Sequence, residues 1–199
     1  FALPAFNPTV GDVALVVVGS VGFHELWVNG QKANDDVLAP AVSDLAKRVL
    51  LRTYDVTKLL KKGSNAIGLW LSVGWAGFDS VNPSMTNLFN TTAAPVAVAE
   101  LRVTHGAGHE STVLVVTNSS WKSSPSDTAH IGKWTNSNFG GDRVDVRLSQ
   151  PDWASAGMDD AGWAEAVEYT VAGRVLTNDV SEPNRLRDQI PAKTVQPWR

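Results

Sequence analysis

Apolar residues along the chain fall into short runs broken by glycine, proline and asparagine, and no long stretch keeps a helical period. Residues 13–18, V-A-L-V-V-V between Gly11 and Gly19, predict a buried strand. Residues 23–28, F-H-E-L-W-V, alternate roughly and predict a second strand. Asn29-Gly30 follows, a hairpin turn whose two positions both need φ > 0. Residues 48–54 predict a third strand, residues 55–63 a short helical turn ended by Gly63, and residues 65–71 a fourth strand leading into Gly74-Trp75.

Residues 76–94 read as a long polar loop, of the kind more often functional or mobile than idle. Residues 96–104 and 111–117 flank H-G-A-G-H and predict a hairpin with a glycine-rich tip, closed by Trp121-Lys122. Residues 123–141, rich in Ser, Thr, Asn and Gly, predict loop. Residues 143–148, R-V-D-V-R-L, alternate like a strand with one wet face. Residues 151–163 are turn-rich, and 163–170 begin another strand. Strands in close succession without amphipathic helices between them predict an all-β antiparallel sandwich rather than a parallel α/β sheet. The expected division is a sandwich over residues 1–182 and a proline-bearing tail over 183–199, an extended linker or the first strand of a following domain.

Composition narrows the partners. The chain is 43% hydrophobic and 19% charged, which suits a globular core. A formal charge of −3 gives no electrostatic footprint for nucleic acid or an anionic membrane. No apolar run reaches the roughly 18 residues of a membrane span. The absence of cysteine excludes disulfides, thiolate catalysis and cysteine-ligated zinc. Sequons at Asn90 and Asn118 are candidate glycosylation sites and lean towards an extracellular protein. A start at Phe1 rather than methionine suggests a fragment or processed piece of a longer chain.

Candidate chemistry is sparse. Asp35-Asp36 and Asp159-Asp160 are paired carboxylates, but neighbours on a strand point to opposite faces, so solvated acidic loops are expected. His105 and His109 flank one tip and could meet, yet two ligands make a poor metal site. No nucleophile-elbow, phosphate-loop, dinucleotide or zinc-protease motif occurs. Asn34, Asp35 and Asp36, with Asp44 near, put hard oxygens on one loop and are the candidate calcium ligands; Asp142 and Asp145 would add to them if the sandwich brings them close. Trp27, Trp70, Trp121 and Trp163 lie in or beside apolar strands and are expected in the core. Trp75 and Trp134 lie in loops, as a sugar-stacking surface would.

Several segments, in this order, resemble the accessory β-sandwich domain of the α-L-rhamnosidase family: G-F-H-E-L-W-V-N-G (22–30), D-D-V-L-A-P (35–40), R-V-L-L-R-T-Y-D-V-T (48–57), G-S-N-A-I-G-L-W-L (63–71) and G-W (74–75). A-E-L-R-V-T-H-G-A-G (99–108), S-S-W-K-S-S (119–124), V-D-V-R (144–147), P-D-W-A-S-A-G-M-D-D-A-G-W (151–163) and E-P-N-R-L-R (182–187) continue it. The resemblance implies a jelly-roll sandwich of galactose-binding-domain type. It further implies a secreted parent enzyme whose separate (α/α)₆ barrel removes terminal α-L-rhamnose with inversion, so this chain alone should hydrolyse nothing. It implies calcium-assisted binding of a rhamnose-containing glycan, for which Asp35, Asp36, Trp75, Asp142 and Asp145 are the candidates. Where the family carries aromatics after the proline, this chain has Val42 and Leu45, and Ala76 replaces a tyrosine. A structural packing module without ligand, or a free-standing rhamnose lectin, are the alternatives.

Overall fold

The computed structural model describes residues 1–3, 5–78, 94–106, 111–133, 135, 139–170 and 173–196. Trp134, His109, Asn90 and most of the expected 76–94 loop lie outside the described residues. The strands are β1 (Ala2–Leu3), β2 (Val13–Val21), β3 (Phe23–Val28), β4 (Gln31–Lys32), β5 (Arg48–Asp55), β6 (Gly63–Ser64) and β7 (Ile67–Ser72). They continue with β8 (Val96–Thr104), β9 (Ser111–Val116), β10 (Lys122–Ser123), β11 (Thr128–Ile131), β12 (Gly141–Val144), β13 (Ala164–Glu165) and β14 (Val175–Asn178).

Two sheets make the sandwich. One has the order β14-β5-β2-β8-β9, the other β4-β3-β7. Pairing is antiparallel except between β14 and β5. Alternation decides what lies between the sheets. Ala14, Val16 and Val18 of β2, Leu26 and Val28 of β3, and Ala99, Leu101 and Val103 of β8 are buried together with Tyr54 and Val56. Val16 stands in register with both Tyr54 and Leu101, so the core is continuous across three strands. At roughly 25 cal/mol per Å² of apolar surface, this layer is the main favourable term in folding.

The Asn29-Gly30 turn forms as expected, with φ of 50° and 80°. The Asn29 side chain also ties this turn to the connecting residues 59–66. Its oxygen accepts the Ala66 N–H at 2.9 Å, and its amide donates to Leu59 O and Asn65 Oδ1, both at 2.8 Å.

Four expectations need correction. Residues 123–141 are not all loop: β11 lies there and pairs with β12. The expected strand over 143–148 ends at Val144, because Asp145 caps a 3₁₀ turn at Val146–Leu148, accepting the Arg147 N–H at 3.2 Å. The strand from residue 163 is only the two-residue β13. The four tryptophans expected in the core are not buried. Inward positions of β3 belong to His24, Leu26 and Val28, so Trp27 points outward. Trp70 faces outward opposite Glu25, and Trp121 and Trp163 are half-buried with their indole N–H groups on Val116 O and Gln150 Oε1.

Candidate functional site

The core changes character towards one end of the sandwich. Leu50, Arg52 and Tyr54 alternate on one side of β5, and Val18 stands in register with Arg52. Ser20, His24, Arg52 and Tyr54 therefore form a polar end to an apolar layer. His24, 2% exposed, sits between Ser20 Oγ at 2.7 Å from Nδ1 and the Tyr54 hydroxyl at 2.9 Å from Nε2. Ser20 Oγ already donates to Gly22 O at 2.9 Å, so it accepts from Nδ1–H, and Nε2 accepts from Tyr54. Every polar atom of this chain of bonds is satisfied by a neutral imidazole. Burial, reinforced by the Arg52 charge, depresses the His24 pKa to about 4, with Asp179 opposing. Burial likewise pushes the Tyr54 hydroxyl up.

Arg52 is the hub of the acidic loop. Its Nη2 and Nε reach Asp36 Oδ2 at 2.9 and 3.3 Å, and its Nη1 lies 3.5 Å from Asp179 Oδ2. The side chains of Arg52, Asp36 and Asp179 are 14%, 6% and 2% exposed, so this is a buried charge cluster. Burial pushes the Asp179 carboxyl up, but the N–H groups of Ser181 and Ala41 and the Arg52 charge reverse this and hold it below its ordinary value. Arg185 adds a second cation, 3.6 Å from Asp36 Oδ1 and 3.9 Å from Asp35 Oδ1.

The expected calcium ligands do not fit calcium. Hard cations take 6–8 oxygens. Asp36 gives its Oδ2 to Arg52, Asn34 gives its oxygen to the Asp36 N–H at 3.2 Å, and Asp35 faces Arg185. Among the described residues no group of three His, Asp or Glu is arranged to hold a metal.

The remaining candidates lie elsewhere. Asp142 is on the β11–β12 ribbon, 3.5 Å from His130 Nδ1. Asp145 is held by Arg147 at 2.5 Å, which keeps its carboxyl low. His105 pairs with Asp12 at 3.2 Å. Asn118 lies exposed in a turn, its oxygen accepting from Ser120 N–H and Oγ. Trp75 follows β7 in a 3₁₀ turn, its ring 5.4 Å from that of Phe78, and lines a shallow hollow with Phe23, Pro40, Ala41, Val42 and Leu45. Of the residues at which the chain departs from the family pattern, Leu45 and Ala76 are buried with Val21 and Val49, whereas Val42 is 50% exposed. Sequence reading missed Arg52, Asp179, Arg185 and His24. The one available signal was parity, which puts Arg52 on the side of β5 that carries Leu50 and Tyr54.

Comparison with known proteins agrees with this fold. The family described as Alpha-L-rhamnosidase N-terminal domain matches residues 12–188. An α-L-rhamnosidase of Formosa agariphila is 31% identical over 159 residues, covering 79% of this chain and 16% of that protein. One from Alteromonas sp. (strain LOR) is 29% identical over 186 residues, covering 92% and 18%. The crystal structure of Streptomyces avermitilis α-L-rhamnosidase complexed with L-rhamnose superposes with a TM-score of 0.75 at 26% identity, covering 97% of this chain and 18% of that one. The chain thus spans less than a fifth of the length of the curated relatives it matches, 16–18%. The matched residues cover most of the sandwich, and the chain belongs to the α-L-rhamnosidase N-terminal domain family.

Proposed function

We propose that this chain is the non-catalytic sandwich domain of a longer, secreted α-L-rhamnosidase that removes terminal α-L-rhamnose, and that it orients the catalytic domain of the same protein. The observation that supports a non-catalytic role is electrostatic. An inverting glycosidase needs one carboxylic acid kept protonated by a raised pKa, and a second carboxylate as base. Among the described residues every resolved carboxyl shift is downward. The Asn7 N–H leads it at Asp12, Lys47 at Asp44 and Arg147 at Asp145, while at Asp179 N–H groups and Arg52 override burial. None of these four carboxyls is held protonated as a general acid would be. The test is incubation of the purified chain with a nitrophenyl α-L-rhamnoside. No nitrophenol above the blank is expected, and steady release would overturn the reading.

A second reading, binding of a rhamnose-containing glycan, is favoured by the hollow beside Trp75, where indole and Phe23 lie together. L-rhamnose at millimolar concentration should then change tryptophan emission in the parent chain and not in Trp75→Ala. An unchanged spectrum removes it.

A further inference from the structure

We infer that the loop at residues 34–38 is a receptor for an arginine-bearing strap of the chain itself, residues 181–187, with Arg52 and Arg185 taking the electrostatic place of a divalent cation. This deepens the orienting role proposed above, since the strap is the segment by which the sandwich hands the chain on. The contact is long-range: Asp36 and Arg185 form an isolated antiparallel bridge. Main-chain bonds flank it on both sides. The Val37 N–H donates to Asn184 O at 2.9 Å and the Leu186 N–H to Asp35 O at 3.2 Å. Arg52 then ties loop to strap from beneath, because its Nη1 donates to Ser181 O at 3.2 Å while its Nη2 holds Asp36.

The charges explain why a peptide with arginine is the fitting occupant. Asp35, Asp36 and Asp179 bring three negative charges to one corner, and Arg52 offsets only one. An arginine at position 185 adds a planar fork of donors beside the second oxygen of Asp36. A neutral residue there would leave Asp36 Oδ1 without its cation. A calcium ion would have to displace two guanidinium groups and the amide turn of Asn34.

The test is hydrogen exchange and thermal unfolding of the full chain, alone and as Arg185→Gln, in millimolar calcium or a chelator. Arg185 is half-exposed, so its replacement does not threaten the fold. The expected result is slow exchange at the Val37 and Leu186 amides in the parent chain. In Arg185→Gln they should exchange roughly threefold faster, the scale of one half-exposed ion pair. Core amides such as Val16 and Leu101 should stay unchanged, and calcium should leave the melting temperature where it was. Exchange at free-peptide rates in the parent chain, no effect of Arg185→Gln, or stabilisation by calcium would each overturn the inference. A protected strap whose loosening leaves interdomain scattering of the longer enzyme unchanged would support the strap and reject only the orienting role.

Discussion

Trp153 occupies the space that any side chain at position 68 would need. A β-carbon there would stand 2.9 Å from Trp153 Cη2, and closer still to Cζ3. Gly68 lies opposite Trp27 on the outer face of β7. The Trp153 ring also lies 5.9 Å from that of Trp27 and 5.8 Å from that of Trp70. One bond fixes the approach, from Gly30 N–H to Ala154 O at 3.0 Å. The turn at 151–163 is therefore a wedge on the back of the small sheet.

Gly68→Ala should accordingly destabilise by about 1–3 kcal/mol, the usual cost of overpacking. The cost should nearly vanish in a Trp153→Ala background, because the two residues are in direct contact. Urea unfolding of the four-member cycle measures this. Equal costs in both backgrounds would show that the glycine is needed for the backbone and not for the indole.

Arg52→Gln should cost about 3–5 kcal/mol, because it strands the buried carboxylates of Asp36 and Asp179. Arg185→Gln should cost under about 1 kcal/mol, since its guanidinium is half in water. The comparison separates the hub of the cluster from its strap. Similar midpoints for the two variants in one urea series would contradict it.

The sandwich was legible where local signals and burial agree. Residues 13–18 are rich in valine and are buried in alternation as part of β2, and Asn29-Gly30 adopts the two positive φ values its composition calls for. The signals failed where pairing is distant. β14 is four residues, V-L-T-N, and its partner β5 lies far back in the chain and runs parallel, so nothing local announces it. Trp27 and Trp70 take outward positions because strand parity, and not side-chain size, decides which face a residue joins. Asp36 was legible as a charged loop residue. Its partners Arg52 and Arg185 come from two distant segments, and only folding brings them to it. The same charges that suggested a cation site are what those arginines neutralise.

Asn29 has two roles that substitution can separate. It holds φ at 50°, and its amide bonds three partners across the hairpin end. Asn29→Gly keeps the conformation and loses the amide, for about 1–2 kcal/mol. Asn29→Ala adds roughly 1 kcal/mol more for a left-handed alanine. The ordering Gly above Ala in thermal unfolding is the check, and the reverse ordering would mean that the turn conformation is not limiting.

His24 should make the domain acid-sensitive over a window set by its own shift. Its folded pKa is depressed from 6.5 to about 4, so the folded state binds fewer protons than the unfolded chain between those values. The stability it contributes is complete above pH 6.5 and is lost as pH falls towards 4. A shift of this size corresponds to about 3 kcal/mol. Asp12, Asp44, Asp145 and Asp179 are also depressed, but from 3.8, so their contribution is lost only at lower pH. Urea midpoints between pH 7 and pH 4.5 should therefore fall in the parent chain. In His24→Gln, which keeps polar groups near Ser20 and Tyr54 without a titrating ring, the slope over that window should flatten even though the variant starts less stable. A parent chain equally stable at both ends of the window would mean that His24 takes up its proton in the folded state as readily as in the unfolded chain, which its burial between Ser20 and Tyr54 argues against.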